Sequence, residues 1–226
     1  MAGAIIPSIM LGVVDPNDFI ISRKRKKYKF AKFHNAPNCF ELSQWSRRPV
    51  DIVEVGAGSA LFSVELAARH PGKTVVALDI KADRLQHGAY RAIERSITNV
   101  HFVRARADQI DELFEPASLE QLWITFPDPY PQKRSAARRL TYPNFLKKYA
   151  ALLAPSGALY VKHDSRDFFC WSLEQLVAER WAIQELSFDL HDSPLSDDYK
   201  IVTTYEERWR STGLLTHFVK AEKQVR

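Results

Sequence analysis

From Val50 onward the chain alternates short apolar runs with amphipathic stretches, and this pattern constrains the fold more than any other feature. VDIVEVG (50–56), TVVALDI (74–80), VHFVRA (100–105), QLWITF (121–126) and ALYVKHD (158–164) read as buried strands. Between them, LFSVELAARH (61–70), residues 83–96 with Asp83 as N-cap, YPNFLKKYAALLA (142–154) and FFCWSLEQLVAER (168–180) read as helices. Two further strand-like runs lie around 182–190 and 214–221. Seven strands are therefore expected, in a mostly parallel α/β sheet with helices on both faces. Residues 1–48 read as an arm and residues 49–226 as the domain. In such sheets ligands bind beyond the carboxyl ends of the strands, so the turns after strands carry the functional argument.

The first turn is Glu54-Val55-Gly56-Ala57-Gly58-Ser59-Ala60-Leu61. Glycines there serve a tight turn in many α/β proteins. A dinucleotide fingerprint needs Gly or Ala where Leu61 stands, which disfavours a closely packed pyrophosphate. Glu54 would repel a pyrophosphate and attract a cationic ligand end; a capping or ion-paired carboxylate is the alternative. Asp79 ends the second strand, where an acid can accept ribose hydroxyls. That feature alone fits NAD and S-adenosylmethionine equally.

The fourth strand runs into Phe126-Pro127-Asp128-Pro129-Tyr130-Pro131. Three prolines fix φ and remove N–H donors, so this is a rigid loop. It presents one carboxylate, Asp128, either as a positioned catalytic group or as a cap for the next segment.

The net charge is +5, and residues 1–50 hold nine Lys/Arg against three Asp/Glu. ISRKRKKYKFAKF (21–33) interleaves Tyr28, Phe30 and Phe33 with basic residues, and QKRSAARRLTYPNFLKK (132–148) has six Lys/Arg and no acid. Clustered charge of this kind favours nucleic acid over anionic membrane, with a solvated basic face as the plain alternative. No run is long enough for a membrane span. Residues 4–14 are apolar but interrupted by Pro7 and Gly12, a terminal segment that packs or frays rather than a signal peptide. Cys39 and Cys170 form neither a disulfide framework nor a metal motif, and the reducing cytoplasm is the expected compartment. The five tryptophans are expected in the core, and His163 in a structural role.

Together VEVGAGSALFSVELA (53–67), TFPDPYPQKRSAARRLT (125–141), DLHDSPL (189–195) and VTTYEERWRSTG (202–213) resemble the bacterial tRNA (guanine-N7-)-methyltransferases, from about Val50 to about Lys220. The FPDP loop with its following basic run and the late T-x-Y-E carry the likeness. The resemblance implies a Rossmann-like class I methyltransferase fold, S-adenosylmethionine as donor with S-adenosylhomocysteine as product, and tRNA as partner, methylated at guanine N7 in the variable loop (position 46 of tRNA numbering). It implies no metal. Glu54, Gly56 and Gly58 match the methionine end of the cofactor site and Asp79 the ribose acid. The adenine end falls on Arg106 and Ala107, where the family usually has Asp or Asn before Ala; Asp108 is two residues late. Asp128 matches the active-site aspartate, assigned to both catalysis and cofactor binding. Substrate-side positions fall on Gln132 (usually Lys) and Lys133, on Asp164, and on Thr203, Thr204, Tyr205 and Glu206. A methyltransferase for another RNA base, a non-catalytic RNA-binding homologue and a nicotinamide dehydrogenase are the competing readings. Monomer and homodimer both remain open.

Overall fold

The computed structural model describes residues 13–19, 21, 23–210 and 212–224. Of the apolar segment at 4–14, residues 4–12 lie outside them. Eight strands form one sheet: β1 (Cys39–Glu41), β2 (Ile52–Val55), β3 (Val75–Asp79), β4 (Val100–Arg104), β5 (Leu119–Thr125), β6 (Leu153–His163), β7 (Trp181–Ser187) and β8 (His217–Lys223). Their spatial order is β1-β4-β3-β2-β5-β6-β8-β7. All pairings are parallel except β6 with β8 and β7 with β8. The expected count of seven is thus corrected to eight. The extra strand, β1, pairs with β4 through Cys39↔Phe102. Its three residues are too few to show a period, and they fall in the stretch read as an arm.

The strand residues alternate between two cores, as a period of two requires. Ile52, Val75, Ala77, Trp123 and Tyr160 face one side. There they meet α2 (Leu61–Arg69) and α3 (Ala82–Glu94) through Phe62, Leu66, Leu85 and Ala89. Val53, Val55, Val76, Leu78, Leu122, Ile124 and Val161 face the other. That side is covered by α4 (Ile110–Leu113), α5 (Pro143–Leu152) and α6 (Arg166–Ala178) through Ile110, Leu146, Tyr149, Phe169 and Leu176. Burial on both faces explains why the strands read as continuous apolar runs.

Two more local expectations change. Lys24–Asn35 is a helix, α1, which buries Ala31 and Phe33 and packs on α3. Its high lysine content masks a narrow apolar stripe. Lys81, not Asp83, occupies the N-cap of α3; Asp83 sits in the first turn, where its charge suits the helix dipole. Of the tryptophans, Trp45, Trp123 and Trp181 are buried and Trp171 is half-buried, but Trp209 on α7 (Thr204–Arg210) is 42% exposed.

Candidate active site

The β2 turn begins at Gly56, whose φ of +76° favours glycine, and its N–H and that of Ala57 donate to the Leu78 carbonyl at 2.8 and 3.0 Å. Gly58 (φ +55°) has open space where a side chain would project. Its N–H donates to Asp79 Oδ2 at 2.8 Å, while Asp79 Oδ1 accepts from Lys81 N–H at 2.7 Å. Each carboxylate oxygen keeps a further lone pair as an acceptor, at the carboxyl end of β3. Gly88 on α3 supports the turn from behind: a Cβ there would lie 2.9 Å from the Ser59 carbonyl oxygen and 2.7 Å from Phe102.

Glu54 lies beneath this turn and is fully buried. Thr125 Oγ1 donates to Oε1 and Ser63 Oγ to Oε2, each at 2.5 Å. Burial pushes its carboxyl up to about 7, and the neighbouring Asp79 adds to this, against the lowering effect of the hydroxyl hydrogen bonds. Glu54 is thus poised near neutrality and welcomes a nearby cation.

The loop after β5 follows the adjacent strand. Phe126 and Tyr130 take left-handed φ values of 48° and 41°, which cost about 1–3 kcal/mol each for non-glycine residues. Asp128 is exposed and, among the described residues, makes no hydrogen bond or ion pair. It is therefore no cap. The loop is anchored at both ends: His163 Nε2 lies 3.0 Å from the Pro127 carbonyl oxygen, and Arg139 donates from Nε and Nη2 to the Tyr130 carbonyl at 3.3 and 3.0 Å. Arg139 also stacks on Trp171, 4.2 Å from the ring centre.

Beside the loop, at the end of β6, Asp164 Oδ2 accepts from the Tyr205 hydroxyl at 3.1 Å. Burial raises the Asp164 carboxyl, but His163 and Tyr205 outweigh it and hold the group below the usual range. Tyr205 faces Phe126 at 5.4 Å between ring centres and is half exposed. Thr204 Oγ1 lies 3.0 Å from Ser59 Oγ, tying the late motif to the glycine turn.

Thr203 and Glu206 point inward instead. They form a reciprocal capping box, Glu206 N–H to Thr203 Oγ1 and Thr203 N–H to Glu206 Oε2, both at 3.0 Å. The buried Glu206 carboxylate also receives Lys162 Nζ at 3.2 Å and Thr216 Oγ1 at 2.9 Å, and His191 Nε2 lies at 2.5 Å. Burial raises this carboxyl, but Lys162, His191, Thr203 and Thr216 together hold it low. The sequence reading set Glu206 on the substrate side; in the structure its oxygens are engaged by the protein, and these bonds fix the start of α7.

The remaining positions take no part in these contacts. Arg106 is exposed and pairs bidentately with Asp108, Nε–Oδ1 2.9 Å and Nη2–Oδ2 2.6 Å, and Ala107 opens the short 3₁₀ turn that follows. Gln132 accepts from Arg134 Nε at 2.9 Å, and Lys133 is exposed beside it. Sequence reasoning passed over Ser63, Thr125, Lys162, Arg139 and Gly88. The T-x-x-E spacing of Thr203 and Glu206 is a capping-box signal that the sequence reading did not use. Among the described residues no helix is long and apolar enough to cross a membrane, and no group of three or more His, Cys, Asp or Glu side chains is arranged to hold a metal.

A glycine turn with open space beside it, an acid at the end of the next strand and a near-neutral buried carboxyl suit the ribose and ammonium groups of S-adenosylmethionine. Fold and site together define a class I S-adenosylmethionine-dependent methyltransferase. A family model described as "Putative methyltransferase" matches residues 48–218. The tRNA (guanine-N(7)-)-methyltransferase of Brevibacillus brevis is 38% identical over 169 residues, covering 75% of this chain and 78% of that protein. The Bacteroides thetaiotaomicron protein of the same name is 30% identical over 217 residues, covering 87% and 85%. The chain belongs to the tRNA (guanine-N7-)-methyltransferase family. Among solved structures it shares its fold with the 16S rRNA methyltransferase KamB (TM-score 0.60, 15% identity, 81% of this chain and 90% of that one). It shares it also with a 16S rRNA (adenine(1408)-N(1))-methyltransferase from Catenulisporales acidiphilia (TM-score 0.55, 16% identity, 95% and 97%).

Proposed function

We propose that the protein transfers a methyl group from S-adenosylmethionine to N7 of a guanine in tRNA, at position 46 of the variable loop, in the cytoplasm. The observation that carries the reading is Asp128: an exposed, unpaired carboxylate on a rigid loop, at the end of the strand next to the glycine turn. When bound, S-adenosylmethionine supplies an electrophilic methyl group on its sulfonium. Gly56, Gly58 and Glu54 receive its methionine end and Asp79 its ribose, with Arg106 and Ala107 flanking the adenine.

Guanine N7 has a free lone pair and no proton to lose, so the site needs no general base. What it needs is alignment and negative charge near a purine that becomes cationic. Asp128 fills the second role. Asp164, held ionised, offers an acceptor to the N–H edge of the base, and Tyr205, half exposed against Phe126, offers an aromatic face. Thr204 holds this wall against the glycine turn, and Thr203 caps the helix that carries it. Gln132 and Lys133 meet the RNA backbone, as do the basic residues of α1 and of the stretch 133–148, which would give salt-dependent affinity with little sequence choice.

Mass spectrometry of nucleosides after reaction with unmodified tRNA tests this reading. N7-methylguanosine is expected as the product. Another methylated nucleoside would assign a different base, and none, despite cofactor binding, would remove tRNA as substrate.

A further inference from the structure

We infer that His163 is a positioning residue, the nearer half of a two-point clamp that holds the Asp128 loop in its working shape. The inference rests on the function proposed above. The loop's two left-handed residues, Phe126 and Tyr130, bracket Asp128. Such backbone persists only where surrounding contacts over-determine it. Each strained residue has a tethered carbonyl at or next to it. His163 Nε2 meets the carbonyl of Pro127, which follows Phe126, and Arg139 grips the carbonyl of Tyr130 itself. Three prolines leave the segment few N–H groups for hydrogen bonds of its own, so side chains from β6 and from the segment before α5 supply the anchorage.

The geometry fixes which His163 nitrogen carries hydrogen. Ser165 N–H points at Nδ1 at 2.8 Å, so in the neutral ring Nε2 holds the proton and donates to Pro127. Protonation would turn Nδ1 towards Asp164 Oδ1, at 3.2 Å, and would leave the Nε2–H bond to Pro127 in place. The tether therefore survives either charge state. His163 is buried, packs on Phe168 at 4.3 Å between ring centres, and has no path to act as an acid or base on the substrate.

Two isosteric replacements separate the ring's halves. In His163→Asn the amide oxygen can replace Nδ1 for Ser165, but the Pro127 bond is lost. In His163→Gln the amide nitrogen can reach where Nε2 stood. Expected for His163→Asn is a fall in kcat of about tenfold or more, with cofactor Kd and tRNA KM nearly unchanged. His163→Gln should recover most of that loss, and Arg139→Lys should repeat the signature from the other end. Equal kcat for wild type and His163→Asn, or equal defects in the Asn and Gln variants, would overturn the clamp.

Nuclear magnetic resonance keeps the test independent of the proposed activity. Imidazole nitrogen shifts should report the Nε2–H form, and the backbone order parameters of Asp128 and Tyr130 should fall from about 0.85 towards 0.6 in His163→Asn. Unchanged order parameters would refute the clamp even if the protein methylates tRNA. Lowered order parameters in a protein inactive on tRNA would leave the clamp standing and remove the substrate assignment.

Discussion

Replacing Glu54 with Gln should make the protein more stable at alkaline pH while weakening cofactor binding. The carboxyl is fully buried and lies at about 7 rather than its ordinary 4.5. A folded-state value raised above the unfolded one means that the folded protein holds the proton more tightly. The associated stability is fully present below the unfolded value and is lost as pH rises through the folded one. The displacement corresponds to about 3 kcal/mol between these limits. Gln keeps the shape and never ionises, and Ser63 and Thr125 can reorient to satisfy its amide. Relative to wild type, the variant should therefore gain little below pH 4.5, about 1 kcal/mol at pH 5 and about 3 kcal/mol at pH 8. Urea unfolding of both proteins across this range measures the difference, in which the titration of every other group cancels to first order. A gap between the two proteins that does not change with pH would refute the reasoning. The same substitution removes the charge offered to the cofactor's ammonium, so the variant's affinity for S-adenosylmethionine should be lower at pH 8 and closer to wild type at pH 5.

Asp128→Asn should lower the methylation rate about 10²-fold, as loss of a group that stabilises transition-state charge does, and should weaken cofactor binding far less; single-turnover kinetics and titration calorimetry check the two halves. Glu206→Ala should destabilise by about 3–5 kcal/mol by removing a carboxylate paired with the buried Lys162 ammonium, and Lys162→Met added to it should recover part of the loss in urea unfolding. Gly88→Ala should cost about 1–3 kcal/mol, because its methyl group meets Phe102 and the Ser59 backbone; thermal unfolding reads the cost, and weaker cofactor binding should accompany it as the turn shifts.

The parallel core was legible because strands buried on both faces are mostly apolar, so β2 to β6 each contain a short apolar run. The Asp128 loop was legible because proline chemistry is local. β1 was not, since Cys39–Glu41 is held by pairing with a strand some 60 residues away and has no pattern of its own. α1 was hidden by lysines around its buried Ala31 and Phe33. Trp209 was misjudged because an apolar side chain says nothing of what covers it. Glu206 shows the same limit from the polar side. Its capping role follows from spacing with Thr203, but its burial depends on Lys162, His191 and Thr216, which only the fold brings together. The buried state of Glu54 was likewise invisible, because it depends on Ser63 and Thr125 closing over its two oxygens.

The most direct test of the account is methyl transfer from labelled S-adenosylmethionine to two unmodified tRNAs identical except for the variable-loop guanine. Label appearing as N7-methylguanosine only in the tRNA that carries this guanine is the predicted result. Equal labelling of both tRNAs, or labelling of neither by a protein that binds S-adenosylmethionine, would contradict it.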